Sequence, residues 1–222
     1  MNDSFRLGND GIYRCDAFQQ FVWQKHGFGT RAANPDDCVT LRQIHSNQVV
    51  NANGLKDRER EGDALVTDLI GRSIAIRTAD CVPILLLDSR TRAVASIHAG
   101  WRGTVGEIAK RTLERMEEDF ESDPADVYAA IGPCIRACCY EVGSEVADQF
   151  EPDLSNTYSI KPGKRTVDLA GANRRQLLAT GVGPEHIFDC GLCTTCLCEQ
   201  FFSYRRQPEH PGRMLSAIAR LG

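Results

Sequence analysis

Short apolar runs broken by turn residues dominate this chain, with few long amphipathic stretches. Residues 38–41, 73–78, 83–87 and 92–98 read as strands, the third a continuous apolar run and the fourth weakly alternating. A further strand is expected over residues 127–131, stopped by Gly132-Pro133, and a closing one over residues 214–219. Helical spacing appears after Gly103. Val105, Ile108, Ala109, Thr112, Met116 and Phe120 share one face of a helix predicted for residues 103–120, with Glu107 and Arg111 set to pair four residues apart. Residues 143–150 and 168–180 also read as helices, the second ended by Gly181. Strands and helices interleave without a break in composition, so residues 1–222 are expected to form one α/β domain with layered, mixed sheets flanked by helices. The polar stretches 51–63, with Asn53-Gly54, and 151–165 read as surface connections, with the border of a cleft as the alternative.

Composition narrows the class. A 222-residue chain with 42% hydrophobic and 25% charged residues is an ordinary globular protein. The net charge of −4 gives no electrostatic reason to expect nucleic acid or an anionic membrane as a partner. No apolar run is long enough for a membrane span, and the first ten residues lack a signal-peptide pattern, so a cytoplasmic location is expected. The ten cysteines are expected as reduced thiols, because a disulfide framework suits small secreted chains.

Candidate chemistry concentrates in three segments: Arg42-Gln43-Ile44-His45-Ser46, Thr78-Ala79-Asp80-Cys81-Val82-Pro83 and Ser96-Ile97-His98-Ala99-Gly100-Trp101-Arg102-Gly103. His45, Cys81 and His98 each end or follow a strand-like run. Two imidazoles and a thiolate with no fourth ligand describe a catalytic zinc site with an open position. Their separations, 36 (81 − 45) and 17 (98 − 81) residues, match no compact zinc motif, and each residue taken singly is as readily structural. Asp80 beside Cys81 is a candidate to orient an imidazole or handle a proton, with Asp63 and Glu141 as weaker ones. Ala99-Gly100 permits close approach to the backbone. The same residues also compose a Cys–His nucleophile, Cys81 activated by His98 or His45. Cys190, Cys193, Cys196 and Cys198 form a second metal-like signal, but their spacing fits no standard cluster and reads as a thiol-rich strand and turn. Pro133-Cys134 is followed by Cys138 and Cys139, which is the wrong spacing for the zinc-deaminase signature.

From His26-Gly27-Phe28-Gly29-Thr30-Arg31 onward the chain resembles the laccase-domain family, also described as purine nucleoside phosphorylase or peptidoglycan-editing-factor-like proteins. The resemblance runs through Gly62-Asp63-Ala64-Leu65-Val66-Thr67, the three segments above, Ala130-Ile131-Gly132-Pro133-Cys134-Ile135, Cys139-Tyr140-Glu141-Val142-Gly143, Phe202-Ser203-Tyr204-Arg205-Arg206 and Gly212-Arg213. It implies a layered α/β fold similar to the catalytic domain of cytotoxic necrotizing factor, and zinc on His45, Cys81 and His98. Ser46 departs from the family pattern, which usually has Gly there. The resemblance also implies phosphorolysis of adenosine, inosine and S-methyl-5′-thioadenosine with accompanying adenosine deamination, so the expected partners are a purine nucleoside and phosphate. Asp80, Cys81 and His98 are then the catalytic candidates. Arg31, Arg42, Arg102 and Arg205 are candidates for phosphate and Trp101 for stacking on the base. Copper is an alternative or adventitious metal for two His and a Cys. A multicopper oxidase is disfavoured, because only His26, His186 and His210 remain for further copper ions. A Cys–His hydrolase editing peptidoglycan precursors is the alternative reading.

Overall fold

Seven consecutive buried residues, Val82–Asp88, form the strand about which the layers are built. The computed structural model describes residues 4–150, 158–161, 164–209 and 212–222. In chain order the strands are β1 (Phe5–Leu7), β2 (Tyr13–Cys15), β3 (Gln24–Phe28), β4 (Val49–Asn51), β5 (Ala64–Thr67), β6 (Ser73–Thr78), β7 (Val82–Asp88), β8 (Val94–Ala99), β9 (Val127–Ile131), β10 (Glu141–Val142), β11 (Tyr158–Lys161), β12 (Lys164–Thr166), β13 (Ile187–Asp189) and β14 (Met214–Arg220). The α-helices are α1 (Trp101–Val105), α2 (Ile108–Phe120), α3 (Ser144–Ala147) and α4 (Leu169–Ala179).

A six-stranded mixed sheet, ordered β13-β9-β7-β8-β5-β4, faces a five-stranded antiparallel sheet, ordered β1-β2-β3-β14-β6. A small sheet, β10-β12-β11, stands apart. Strand side chains alternate between faces, so Ile84 and Leu86 of β7 enter the core beneath α2 and α4, while Leu85 and Leu87 enter the core between the large sheets. A strand buried on both faces reads as a continuous apolar run, which is why residues 83–87 show no alternation. Full burial of each of these four side chains contributes about 1.5–3 kcal/mol. Ser96 Oγ donates to Ser216 O at 3.1 Å between the layers.

Strands expected over 73–78, 83–87, 92–98, 127–131 and 214–219 are present as β6, β7, β8, β9 and β14. Residues 38–41 form no strand, only a bridge between Val39 and Ile74, because Asp57 Oδ1 takes both the Thr40 N–H (2.8 Å) and its hydroxyl (2.7 Å). The helix expected over residues 103–120 is two helices. Glu107 turns left-handed (φ 60°), and Asn47 Nδ2 donates to Gly106 O at 2.8 Å, fixing the break. Val105 is consequently 37% exposed, whereas Ile108, Ala109, Thr112 and Met116 are buried. The break also undoes the expected Glu107–Arg111 pair: Glu107 meets Lys110 at 3.4 Å, and Arg111 Nε donates to Gly106 O. The helix expected over 143–150 is the single turn α3, whereas α4 matches expectation, capped by Asp168 accepting from Gly171 N–H (3.0 Å). Of the connection at 151–165, residues 151–157, 162 and 163 lie outside the described residues, and 158–161 and 164–166 pair as β11 and β12. No helix among the described residues is long and apolar enough to cross a membrane.

His26 is buried in β3. Its Nε2 accepts from the Cys15 N–H at 2.9 Å and its Nδ1 lies 2.9 Å from Gln24 Oε1, so both nitrogens are satisfied only by the neutral ring. Burial and the nearby Arg14 charge lower its pKa to about 4. Below pH 6.5 the unfolded chain takes up a proton that the folded one refuses, so stability falls as pH drops from 6.5 toward 4, by roughly 3 kcal/mol from this residue. Urea unfolding at intermediate pH values should show this slope, and His26→Gln should flatten it.

Candidate metal centre and active site

Cys81 and His98 are brought together by strand register. Val82 of β7 pairs with Ala99 of β8, and Pro83 with His98, so Cys81 leaves β7 where His98 and Gly100 end β8. A Cβ added to Gly100 would lie 3.1 Å from Cys81 Sγ and 3.5 Å from His45 Cδ2, so the glycine keeps open the space beside both donors. His45 approaches from the loop before β4. Its ring centroid is 4.9 Å from that of His98 at an interplanar angle of 78°. One donor atom from each of His45, Cys81 and His98 falls within 4.8 Å of the others. His98 is 3% exposed, Cys81 is half-buried and His45 is exposed, so the triad opens toward solvent on one side. Borderline-soft imidazole and thiolate donors in a three-sided cluster fit zinc or copper, with room for a further ligand.

Asp63, fully buried, organises this triad. Its carboxylate accepts from the N–H groups of Ile44 (3.3 Å), His45 (3.1 Å) and Ser46 (2.6 Å), from Ser46 Oγ (2.7 Å), and from His98 Nδ1 at 2.8 Å. These bonds hold His45 in a left-handed conformation (φ 57°) that a side-chain-bearing residue adopts at a cost. They also fix the His98 tautomer, leaving Nε2 for the cluster. Burial raises the Asp63 pKa, but bonds from His98 and Ser46 outweigh it, and the carboxyl lies below its ordinary range. Burial likewise opposes ionisation of Cys81, yet the flanking His98 and His45 hold the thiol down to about 6. In His98, burial disfavours the charge, but Cys81 and Asp63 raise the imidazole to about 9. Without a metal, these opposite shifts favour a thiolate beside an imidazolium; a metal held by the thiolate and Nε2 would take the place of that proton. The Ser46 hydroxyl turns into Asp63 rather than into the cavity.

The expectation that Asp80 orients an imidazole is corrected: Asp63 does so. Asp80, itself strained (φ 91°), accepts from Thr194 Oγ1 (2.6 Å), Ser203 Oγ (3.1 Å) and the Arg205 N–H (2.7 Å). It ties the Tyr204–Arg205 segment to the mouth of β7.

The triad lies in a cavity of about 990 Å³ that Asp80, Trp101, Arg102, Tyr140, Tyr204 and Arg205 also line. The Arg102 guanidinium sits over the Trp101 ring, 4.4 Å from its centroid. Arg205 donates to Glu141 O at 2.8 Å and lies 5.5 Å from the Tyr140 ring centroid. Arg31 and Arg42 are not among the lining residues. Arg31 donates to Phe201 O and Gln207 and stacks on Phe202, and Arg42 lies 3.9 Å from Glu61. Sequence reasoning missed Arg58, Arg77 and Arg213, which do line the cavity. The Arg77 Nε is buried without a hydrogen-bond partner. Isolated arginines in mixed segments carry no local signal. Asp63 had one, as a carboxylate immediately before an apolar strand. Of the remaining histidines, His26 is enclosed as described, His186 stacks on Tyr128 at 3.9 Å, and His210 lies outside the described residues.

Layered mixed sheets carrying a His–Cys–His cluster at the end of two central strands define an α/β protein with an open metal-type centre. The model of the multi-copper polyphenol oxidoreductase laccase family matches residues 10–221, and the chain belongs to that family. A purine nucleoside phosphorylase from Deinococcus radiodurans is 43% identical over 184 residues, covering 82% of this chain and 70% of that protein. Adenosine deaminase RL5, from an unknown prokaryotic organism, is 42% identical over 228 residues, covering 96% of this chain and 84% of its own. The crystal structure of YlmD from Geobacillus stearothermophilus matches with a TM-score of 0.88 at 30% identity, over 99% of each chain.

Proposed function

We propose that the protein is a zinc-dependent purine nucleoside phosphorylase acting on adenosine, inosine and S-methyl-5′-thioadenosine, with accompanying adenosine deaminase activity. The observation that carries this reading is the His45–Cys81–His98 cluster, preorganised by Asp63, facing a cavity walled by arginines and aromatic rings. The names of the relatives, purine nucleoside phosphorylases and an adenosine deaminase, support it. His45, Cys81 and His98 would hold the metal, which when bound supplies a Lewis acid able to bring the pKa of water toward 7.

In phosphorolysis a phosphate oxygen bonds to C1′ as the C1′–N9 bond breaks, the electron pair passing to the purine and positive charge growing on the sugar. The protein's part is to hold two partners in line. Guanidinium forks suit the phosphate, and Arg102, Arg205 and Arg77, which line the cavity, would take it. Arg205 is pinned at its backbone by Asp80 and at its side chain by Glu141 O, so little freedom is lost on binding. Trp101 and Tyr140 offer faces to the base. In deamination water adds at C6 and ammonia leaves, and the same walls would seat the purine.

Adenosine incubated with zinc-loaded protein, with and without phosphate, tests the reading. Adenine and ribose 1-phosphate should appear only with phosphate, and inosine in both samples. Intact adenosine in both would overturn it. The second reading is favoured by one specific feature, a thiol flanked by two imidazoles, which is also the geometry of a Cys–His hydrolase acting on a peptidoglycan precursor. Zinc and nucleophilic attack compete for that one thiolate, so metal content separates them.

A further inference from the structure

Four cysteines lie together away from the cavity triad. Cys138 and Cys139 sit on the turn between β9 and β10, and Cys193 and Cys196 on the turn after β13. One sulfur from each lies within 4.8 Å of the other three. The Sγ separations are 3.7 Å for Cys138–Cys139, 3.7 Å for Cys138–Cys196 and 3.4 Å for Cys139–Cys196. Four sulfurs at zinc–thiolate bond lengths of about 2.3 Å in a tetrahedron are spaced by about 3.8 Å. Cys138, Cys139 and Cys196 each have two close sulfur neighbours, where a disulfide supplies one. The two turns are held in register independently of any ion: Thr194 N–H donates to Cys134 O (3.0 Å) and Cys134 N–H to Leu192 O (3.3 Å).

We propose that Cys138, Cys139, Cys193 and Cys196 form a closed tetrathiolate site for a structural zinc ion, distinct from the open His45–Cys81–His98 cluster. Neither Cys190, buried against Cys134, nor Cys198, beside Glu199, takes part. Each ligating thiol gives its proton to solvent as its Zn–S bond forms, and no oxidant or reductant is involved. Exposed Cys138 and Cys196 give the ion a path in. The site would staple the cavity wall. Cys139 precedes Tyr140, which lines the cavity, and Cys193 precedes Thr194, whose hydroxyl holds Asp80 and through it the Arg205 backbone.

The test is elemental analysis of the full chain purified under reducing conditions, as wild type, Cys81→Ala and Cys193→Ser. Cys81→Ala should retain one zinc per chain, and Cys193→Ser should lose one equivalent relative to wild type. Should Cys193→Ser fail to fold, cobalt(II) loaded into the Cys81→Ala protein provides the readout. It should give the intense near-ultraviolet sulfur-to-cobalt charge-transfer absorption of a tetrathiolate. Metal-free Cys81→Ala protein without that absorption on cobalt loading, a disulfide among these four cysteines in the reduced preparation, or iron in place of zinc would each overturn the assignment. These readouts do not depend on catalytic activity.

Discussion

Asp63→Ala is expected to cost roughly 3–5 kcal/mol of stability and to weaken zinc binding by about 10–100-fold. The reason lies in how many groups one carboxylate satisfies. Removing it orphans three consecutive backbone N–H groups, the Ser46 hydroxyl and the Nδ1–H of a His98 that is 3% exposed. Each buried donor left without a partner carries a desolvation penalty of about 1–3 kcal/mol, relieved only where water enters. The left-handed turn at His45 loses the bonds that held it, and His98 loses the group that fixes its tautomer. Asp63→Asn keeps the volume but offers an amide to a ring nitrogen and to N–H donors, so it should rescue only part of the stability. Ser46→Gly removes one of the five hydrogen bonds and should leave metal affinity nearly unchanged. Chelator competition and urea unfolding on the three variants separate these outcomes. Equal zinc affinity in Asp63→Ala and wild type would show that the carboxylate does not organise the cluster.

Cys81→Ala is expected to lose the zinc of the His–Cys–His cluster and to lower nucleoside turnover by about three orders of magnitude or more, the scale on which loss of an essential catalytic group reads. Its fold should survive with a change within about 1 kcal/mol, because Cys81 is half-buried at a strand end and the cores on both faces of β7 are untouched. His45→Ala and His98→Ala should share the loss of metal and rate, with His98→Ala also leaving the buried Asp63 carboxylate without its imidazole partner. Two-histidine binding in Cys81→Ala with undiminished turnover would remove the thiolate from the ligand set.

How far the sequence announced these features depended on whether the signal was local. β6, β7, β8 and β14 are apolar runs whose burial follows from side-chain chemistry alone, and they were readable. The strands β1, β2 and β3 are only three to five residues long and hold polar residues, and of the three only β3 meets the distant β14, with β2 and then β1 added beside it, so periodicity could not reveal them. The helix break at Glu107 depends on Asn47, sixty residues earlier, and the failed strand at 38–41 on Asp57. The same division holds at the site. His45, Cys81 and His98 stand out by residue type, and the structure brings them together, Cys81 and His98 from the ends of paired strands and His45 from a loop. Asp80 drew attention because it adjoins Cys81, yet its carboxylate is taken by Thr194, Ser203 and the Arg205 N–H, and the carboxylate that reaches His98 comes from Asp63, 35 residues away. Arg31 and Arg42, chosen by motif, lie outside the cavity wall, while Arg77 enters it from β6. The four-cysteine cluster was half visible: Cys193 and Cys196 belong to it, but their partners come from the turn before β10 rather than from Cys190 and Cys198.

An anomalous difference map at the zinc edge, from crystals of the protein as purified, bears most directly on an open metal centre in the cavity. A peak is expected about 2.3 Å from Cys81 Sγ and about 2.0–2.1 Å from His98 Nε2 and a His45 ring nitrogen, with a fourth position facing the cavity. No peak there, together with a Cys81 thiol that is alkylated in the native protein, would contradict the metal assignment and leave Cys81 as a nucleophile.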